Sequence, residues 1–386
     1  MSEQRAEREQ RVTPLELFFD LVFAFGFTQV TTVLADDPTW GGLEHGLLIL
    51  TALWWAWAAY AWLTNTVDPG VGAVWGAMLI AMAAMFVAAL AVPEAFGRHG
   101  VVFGVAFLIV NVMNLTIFAL GAPGDRALLG AVLRNAPWSL TGAALIIAAG
   151  FVHGSLRPML WLIALAVGLF GPLLGGLSGW RVQPAHFIER HGLIVIIAIG
   201  ESLIAIGLGA RRTELGTGVI VAAVLGFVVV TSFWLAYFDF FPARGQQMLD
   251  DRSGEERIAL ARDAYTYLHL PMVAGIVLFA FAMKVTLAQV SDKLDTIPAL
   301  ALCGGPALYL FAYVALRFRV SRTFGRGRLV ASIACALLVP IALVVPALVA
   351  LALIAAVWIA LHAYEIIWWS DARAQTRALR VPASGS

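Results

Sequence analysis

Charged residues and cysteines are both scarce in this sequence, and each scarcity argues against a class of protein. Only 13% of the 386 residues are charged, and the two cysteines, Cys303 and Cys335, each lie in an apolar run. Soluble globular chains average about 25% charged residues, so a soluble catalytic domain is not expected. Two separated cysteines predict neither a disulfide framework nor a cysteine-based metal site. A formal net charge of +1 gives no strong attraction for nucleic acid.

Motifs for catalysis and cofactor binding are missing as well. The sequence has no P-loop, no glycine-rich dinucleotide loop, no nucleophile elbow and no HExxH pair. We therefore expect no cofactor and no metal site, and an enzyme is the less favoured interpretation. The opening residues, MSEQRAEREQRV, mix acids and bases and lack the profile of a cleavable signal peptide. The first apolar run is accordingly expected to be retained.

Long hydrophobic runs fill most of the chain. Hydrophobic residues make up 61% of it, and the mean hydropathy is +0.87. Because one bilayer crossing needs about 20 apolar residues, the length accommodates about twelve spans joined by short loops. We predict an all-α, polytopic transmembrane helix bundle whose main partner is the lipid bilayer. The predicted spans are 15–34, 43–63, 73–93, 101–120, 138–152, 158–178, 191–209, 216–239, 264–289, 297–316, 329–345 and 347–369.

Basic residues and a weak internal repeat indicate how these spans are arranged. Most Lys and Arg residues fall in loops on one side of the membrane, and they are densest at 244–262 and 317–328. The positive-inside rule then predicts that both termini are cytoplasmic. Residues 18–34 align with 190–207, which favours two parallel six-helix repeats, although apolar helices also align through composition alone. The predicted parts are a tail at 1–14, halves at 15–178 and 179–369, and a tail at 370–386.

Two acids share one face of the first predicted helix. Thr13, Pro14 and Glu16 form the pattern of a capping box, so Glu16 is interpreted mainly as structural. Asp20 lies one turn further along, and carboxylates at this spacing repel unless a cation or a proton lies between them. An ionised Asp near the centre of a span costs about 2.5–3.5 kcal/mol. Asp20 is therefore either a structural anchor that accepts hydrogen bonds or a proton or cation site.

The seventh predicted span carries a second acid at depth. Glu201 lies about 18 Å along the helix axis from Glu189, which predicts a position near mid-membrane. Gly200 is expected to admit a neighbouring backbone, and Ser202 to bond to a preceding carbonyl. A proton carrier is favoured at Glu201 over a neutral group that only links helices. Lys284 is predicted near the outer end of its span, where its stem can snorkel.

Polar residues also cluster where the seventh span begins. His186 and Glu189 are three positions apart, and His186 and Arg190 are four apart, so these pairs share a helix face. With His191 they predict an interfacial ion-pair cluster, and a gate at the inner side is the sharper alternative. They do not supply the three or four ligands that a metal site requires.

Several strings in the chain are specific enough to indicate a family. They are ELFFDLVF at 16–23, TQV at 28–30, WWAW at 54–57, YAWLTN at 60–65, MAAMFVAALAVPEAFG at 82–97 and HFIERHGLIVIIAIGESLIAIG at 186–207. By these strings the chain resembles the bacterial low temperature requirement protein A (LtrA) family over most of its length. The resemblance implies a multi-pass protein of the bacterial cytoplasmic (inner) membrane and assigns no activity. Many relatives carry His shortly after the TQ pair, where this chain has Thr32, so a role that needs that His is in doubt. The family positions that fall here are Glu16, Asp20, Gln29, Asn65, His186, Glu189, Arg190, Glu201 and Ser202.

Together these features predict a secondary transporter, coupled to protons or another cation, for an unknown small substrate. The alternatives are an ion channel, with Phe18, Phe19, Phe23 and Phe25 as an apolar constriction, and an intramembrane enzyme acting on a lipid or isoprenoid. The spacing of Gly171, Gly175 and Gly179 favours packing within the chain over a homodimer. Candidates for a proton, cation or substrate site are Asp20, Glu201, Gln29, Ser202 and Asn65. Candidates for an inner gate or ion-pair cluster are Glu16, His186, Glu189, Arg190, His191, Asp239 and His269.

Overall fold

The computed structural model describes residues 11–70, 72–211, 214–239 and 241–368, with backbone only at 241–243. These residues form helices and no β-strand, which confirms the predicted all-α class. They divide into two compact units. The first holds the described residues up to Ile194 together with Ser253–Ala261, and the second holds Val195–Arg252 and the described residues from Arg262 onward. The tail predicted at 370–386 and most of the one at 1–14 lie outside the described residues. The division into halves at residue 179 stays a prediction.

The first unit is organised around its second helix. Helix α2 contacts α1, α4 and α6, while α3 contacts α1 and α4. Trp54, Trp57 and Tyr60 of α2 are fully buried, so large aromatic side chains form the centre of this unit. Its helices are α1 (Pro14–Asp36), α2 (Trp40–Thr64), α3 (Gly72–Ala91), a 3-10 turn (Val92–Glu94), α4 (Gly100–Gly121), α5 (Arg126–Gly150), α6 (Leu156–Leu174), the first part of α7 (Pro184–Ala210) and α10 (Gly254–Ala261).

The second unit is organised around a close helix pair. Helices α11 and α12 approach backbone to backbone, because a side-chain carbon at Gly275 would lie 2.5 Å from the carbonyl oxygen of Gly305. Helix α11 also contacts α8, and α8 contacts α15. The helices are the remainder of α7, α8 (Thr217–Phe238), α9 (Phe241–Asp250), a π-helical turn (Arg262–Tyr267), α11 (His269–Ala288), α12 (Thr296–Ser321), α13 (Arg326–Leu337), α14 (Val339–Ala342) and α15 (Ala347–Trp368).

Ten helical segments in the described part of the chain are long and apolar enough to cross a membrane. Two predicted spans are not among them, so the count of about twelve is approximate. Residues 138–152 belong to α5, which starts earlier, at Arg126, and contains Pro137. Residues 329–345 are broken between α13 and α14 at Leu338, beside Pro340. Proline lacks the backbone N–H that a continuous helix needs, so it ends the hydrogen-bond ladder there.

The start of α1 follows the predicted capping pattern. Thr13 is the N-cap, Pro14 is in the first turn, and the side chains of Thr13 and Glu16 each accept from the other residue's backbone N–H. This reciprocal arrangement satisfies two donors that a helix start otherwise leaves open. It also fixes the direction in which the Glu16 side chain leaves the helix.

The glycine predictions have mixed outcomes. Gly171 packs against Trp138, and Gly179 against the backbone of Ala127, so both contact α5 within the chain. Only Gly171 of the three spaced glycines lies inside α6, which ends at Leu174. The close approach expected at Gly200 is wrong, because a side-chain carbon there would meet no described atom within 4 Å.

Candidate functional site

A buried ionic cluster links α1 to α7 in the first unit. Glu16, Asp20 and Arg190 are fully buried, and His186 is 4% exposed. The Arg190 guanidinium lies 2.8 Å from Asp20 Oδ1 and 3.3 Å from Glu16 Oε1. His186 Nε2 lies 3.1 Å from the same Glu16 oxygen. We call these four residues the acid–arginine cluster.

The cluster explains how two acids can share one helix face. Glu16 and Asp20 are one turn apart on α1, and Arg190 from α7 lies between them. This is the cation that their spacing requires. Trp57 donates its indole N–H to Asp20 Oδ1 at 2.9 Å. The other oxygen, Asp20 Oδ2, is buried and has no hydrogen-bond partner among the described residues.

Asn65 sets the tautomer of His186. The amide of Asn65 is oriented by the backbone of Gln183, which donates to its oxygen at 2.7 Å and accepts from its nitrogen at 3.0 Å. The same amide nitrogen lies 3.2 Å from His186 Nδ1. Since an amide nitrogen can only donate, Nδ1 must accept. The imidazole hydrogen is therefore on Nε2, where it donates to Glu16.

A cavity at the surface of the first unit borders Asn65, the residue that contacts His186 of this cluster. It has a volume of about 650 Å³. Asn65 and Gln183 form part of its wall, and Asp125, Arg181 and Arg257 add charged groups. From the wall, polar contacts run from Asn65 to His186, to Glu16, to Arg190 and to Asp20. The buried carboxyl of Asp20 is thus joined to a surface cavity by an unbroken series of polar contacts.

The other candidates in the first unit lie apart from the cluster. Gln29 is half-buried, two turns beyond Asp20 on α1. Glu189 is exposed, and it accepts a hydrogen bond from the backbone of Val12. His191 is buried, contacts the carbonyl of Phe187 at 2.8 Å, and meets the Trp57 ring edge to face. The sequence predicts no role for Trp57. Its indole donor within a nearly uncharged apolar helix was the available signal, since a buried Trp N–H usually has a partner.

The second unit holds a separate buried ion pair. Glu201 is 2% exposed, and Lys284 Nζ of α11 lies 3.6 Å from its Oε1. Ser202 is fully buried and donates to the carbonyl of Ile276, 3.5 Å away on α11. The Lys284 side chain is 10% exposed. The prediction that it snorkels to the outer end of its span is therefore wrong, because it turns toward Glu201.

His269 and Asp239 complete the candidates of the second unit. His269 is fully buried, with Nε2 3.0 Å from the Tyr237 hydroxyl and Nδ1 2.8 Å from the carbonyl of Ala264. Asp239 is the half-buried C-cap of α8. Within the described residues no three His, Cys, Asp or Glu side chains come together as metal ligands would.

The architecture and these buried charges define the class of this protein. The described residues form ten long apolar helical segments with ionic groups among them, which makes this chain a multi-pass membrane protein. The family described as bacterial low temperature requirement A protein (LtrA) matches residues 11–363. The chain belongs to this family, as its motifs indicated.

One individual protein is similar to this chain over most of its length. The chain is 32% identical over 306 residues to "Uncharacterized protein RA0937" of Rhizobium meliloti (strain 1021), covering 76% of this chain and 74% of that protein. No solved structure matches the chain.

Proposed function

We propose that this protein is a secondary transporter that couples movement of a small solute to a proton, with Asp20 as the residue that exchanges the proton. The observation that carries the proposal is the series of polar contacts from the surface cavity at Asn65 to buried Asp20.

Charge balance supports an exchangeable proton in the acid–arginine cluster. Arg190 contributes one fixed positive charge, and Glu16 and Asp20 contribute up to two negative charges. The hydrogen bond from Asn65 keeps His186 neutral in this arrangement. The cluster is then neutral only when one carboxyl carries a proton. Neutrality matters because an unbalanced charge within a membrane protein's interior costs several kcal/mol.

Asp20 is the better of the two carboxyls for that proton. Glu16 Oε1 lies within ion-pair distance of His186 and Arg190, and Oε2 accepts a hydrogen bond from the cap of α1. Asp20 Oδ1 is engaged by Trp57 and Arg190, whereas Oδ2 accepts no hydrogen bond from the described residues. A proton on Oδ2 would disturb no existing contact. We assign Glu16 to positioning and Asp20 to exchange.

Glu201 is the second proposed coupling residue. Its pairing with Lys284 gives it a cation that could be exchanged for a proton or a substrate cation during a transport cycle. Transporters commonly place ionisable groups near the middle of the membrane for this purpose. The Asp20 assignment does not depend on this one.

The two alternative functions, an ion channel and an intramembrane enzyme, have less support. The four aromatics suggested as a constriction do not share a face, since Phe18 is 54% exposed while Phe19 and Phe23 are fully buried. The buried acids are each held by a cation. Turnover of a lipid in detergent, without any gradient, would favour the enzyme over the transporter.

The orientation also belongs to the proposal. We place the protein in the bacterial inner membrane with both termini in the cytoplasm, because this arrangement puts the arginine-rich loops inside. A fluorescent protein fused to the C-terminus should then fluoresce, and an alkaline phosphatase fusion at the same site should be inactive. The reverse pattern would overturn this orientation.

Asp20→Asn is expected to abolish coupling while preserving the fold. Asparagine can still accept from Trp57 and Arg190 through its side-chain oxygen, and it imitates a carboxyl that always carries its proton. The purified protein would be reconstituted into liposomes containing a pH-sensitive dye and challenged with amino acids, carboxylic acids, sugars and organic cations. We expect saturable, solute-driven proton uptake in the native protein and a reduction of at least about 100-fold in the variant, as for loss of an essential proton-transfer group.

The matched control is Glu44→Gln, which neutralises an exposed acid on α2 of the same unit. This variant should retain native proton flux. Equal flux in Asp20→Asn and the native protein would end the proposal for Asp20. Current that persists without saturation in Asp20→Asn would instead identify a channel.

A further inference from the structure

A second cavity, in the other unit, has a strongly basic wall. It has a volume of about 580 Å³ and lies among α9, α12, α13 and α15. Among the described residues, its charged lining consists of Arg244, Arg317, Arg326 and Arg328 with a single acid, Glu365. This described lining carries a net charge of three positive units. A cavity with this excess of guanidinium groups is built for an anion.

The one acid in the wall is already neutralised. Arg328 binds Glu365 through two contacts, at 2.6 Å and 3.3 Å. Arg328 also donates to the carbonyl of Ala236 and lies 3.9 Å above the ring of Tyr313. This residue is 4% exposed and acts as a fixed part of the wall. Arg244, Arg317 and Arg326 also belong to this wall, and the one acid described there is held by Arg328.

Backbone N–H groups add donors at the same place. Helix α13 starts at Arg326, and its N-cap, Gly325, has no side chain with which to cap the first N–H groups. Both Gly325 and Gly327 belong to the cavity wall. N–H groups at a helix start favour bound anions, and phosphate above all. The hydroxyls of Ser321 and Thr323 also line the cavity, but they are engaged with each other and with Arg317.

The rest of the lining is apolar, which narrows the class of ligand. Met248, Leu316, Val320 and Phe324 line the cavity beside the arginines, and Phe324 is 58% exposed. A free inorganic anion would make no favourable contacts with these apolar side chains, and the volume of the cavity far exceeds that of one phosphate group. An amphiphile with a phosphate head and a hydrocarbon tail fits both the basic and the apolar parts of the lining.

We propose that this cavity binds the phosphate of an anionic phospholipid. Basic pockets between transmembrane helices on the cytoplasmic side commonly bind such headgroups. The arginine-rich loop at 317–328 is predicted to lie on that side. The site is independent of the acid–arginine cluster, so the proposal does not rest on a transport activity.

Native mass spectrometry of the full-length protein in detergent tests the site. The probes are phosphatidylglycerol, cardiolipin, zwitterionic phosphatidylcholine and inorganic phosphate. We expect the two anionic lipids to bind at least about tenfold more tightly than phosphatidylcholine. The double variant R244Q/R326Q should weaken the anionic lipids by about tenfold or more, as for loss of roughly 1.4 kcal/mol.

Arg322→Gln is the matched control, because Arg322 lies in the same loop but stacks on Phe318 and is not part of the lining. This variant should bind lipids as the native protein does. If it weakens binding as much as R244Q/R326Q, general charge and not the cavity is responsible, and the proposal fails. Displacement of the lipids by equimolar inorganic phosphate would show a site for the free anion and overturn the lipid assignment. Thermal unfolding of each variant verifies that the changed binding does not come from unfolding.

Discussion

Replacing Arg190 with methionine is expected to lower the free energy of unfolding by about 3–5 kcal/mol. The change leaves Glu16 and Asp20 facing each other with no fixed cation, at positions that are fully buried. Removing one partner of a buried ion pair has an effect of this size because the remaining charge is uncompensated. Titration of sodium dodecyl sulfate into mixed micelles, followed by tryptophan fluorescence, measures the loss.

The second step of this experiment neutralises one of the two carboxylates that Arg190→Met leaves without a cation. Asp20→Asn added to Arg190→Met should recover at least half of the lost stability, since only Glu16 then lacks a cation, and it keeps the His186 N–H 3.1 Å away and the hydrogen bond from the cap of α1. The control is Arg98→Met, at an exposed position outside the cluster, which should change stability by less than about 0.5 kcal/mol. Additive effects of Asp20→Asn and Arg190→Met would mean that the two residues do not interact, contrary to the 2.8 Å contact.

Much of the acid–arginine cluster could be predicted one helix at a time. The capping box at Thr13 fixed the phase of α1, so the shared face of Glu16 and Asp20 followed from helix geometry. The shared face of His186 and Arg190 followed in the same way. Repulsion between the two acids also required a cation or a proton between them.

The sequence could not identify that cation. Arg190 and Asp20 are 170 positions apart, and the pattern within either helix does not specify which helix it faces. Helical periodicity defines a face, whereas the choice of neighbour depends on packing across the whole unit. The same limit applies to Trp57. The sequence shows the WWAW motif that contains it, but it does not show that the indole N–H binds Asp20.

For buried charged residues the sequence predicts the position along the helix axis better than the direction of a long side chain, as Lys284 shows. Counting along a helix axis gives depth, so Glu201 could be placed within its span. The long stem of lysine can reach either toward the interface or toward a buried acid, and the sequence alone favoured the wrong choice. Span limits failed for a related reason, because average hydropathy over 329–345 conceals the break beside Pro340.

Replacing Lys284 with methionine is expected to destabilise the protein by about 3 kcal/mol. Glu201 is 2% exposed and would lose a cation 3.6 Å away; the expected loss is at the lower end for a broken buried pair because the contact is long. Glu201→Gln should have a smaller effect, since the flexible ammonium group of Lys284 can turn toward water and the carboxylate cannot. The same detergent titration measures both variants, and Glu214→Gln, at an exposed acid of the same unit, serves as the control.

The double variant Glu201→Gln/Lys284→Met separates structure from transport at this pair. It removes both charges, so it should return most of the stability that Lys284→Met alone loses, as neutral replacement of buried ion pairs often does. If Glu201 takes part in coupling, this stable protein should still lack solute-driven proton uptake in liposomes. Native uptake in the double variant would make the pair a structural link between α7 and α11 and would leave Asp20 as the coupling residue. Failure to recover stability would show instead that Glu201 and Lys284 are not energetically paired, and the ionic interpretation of this contact would be wrong.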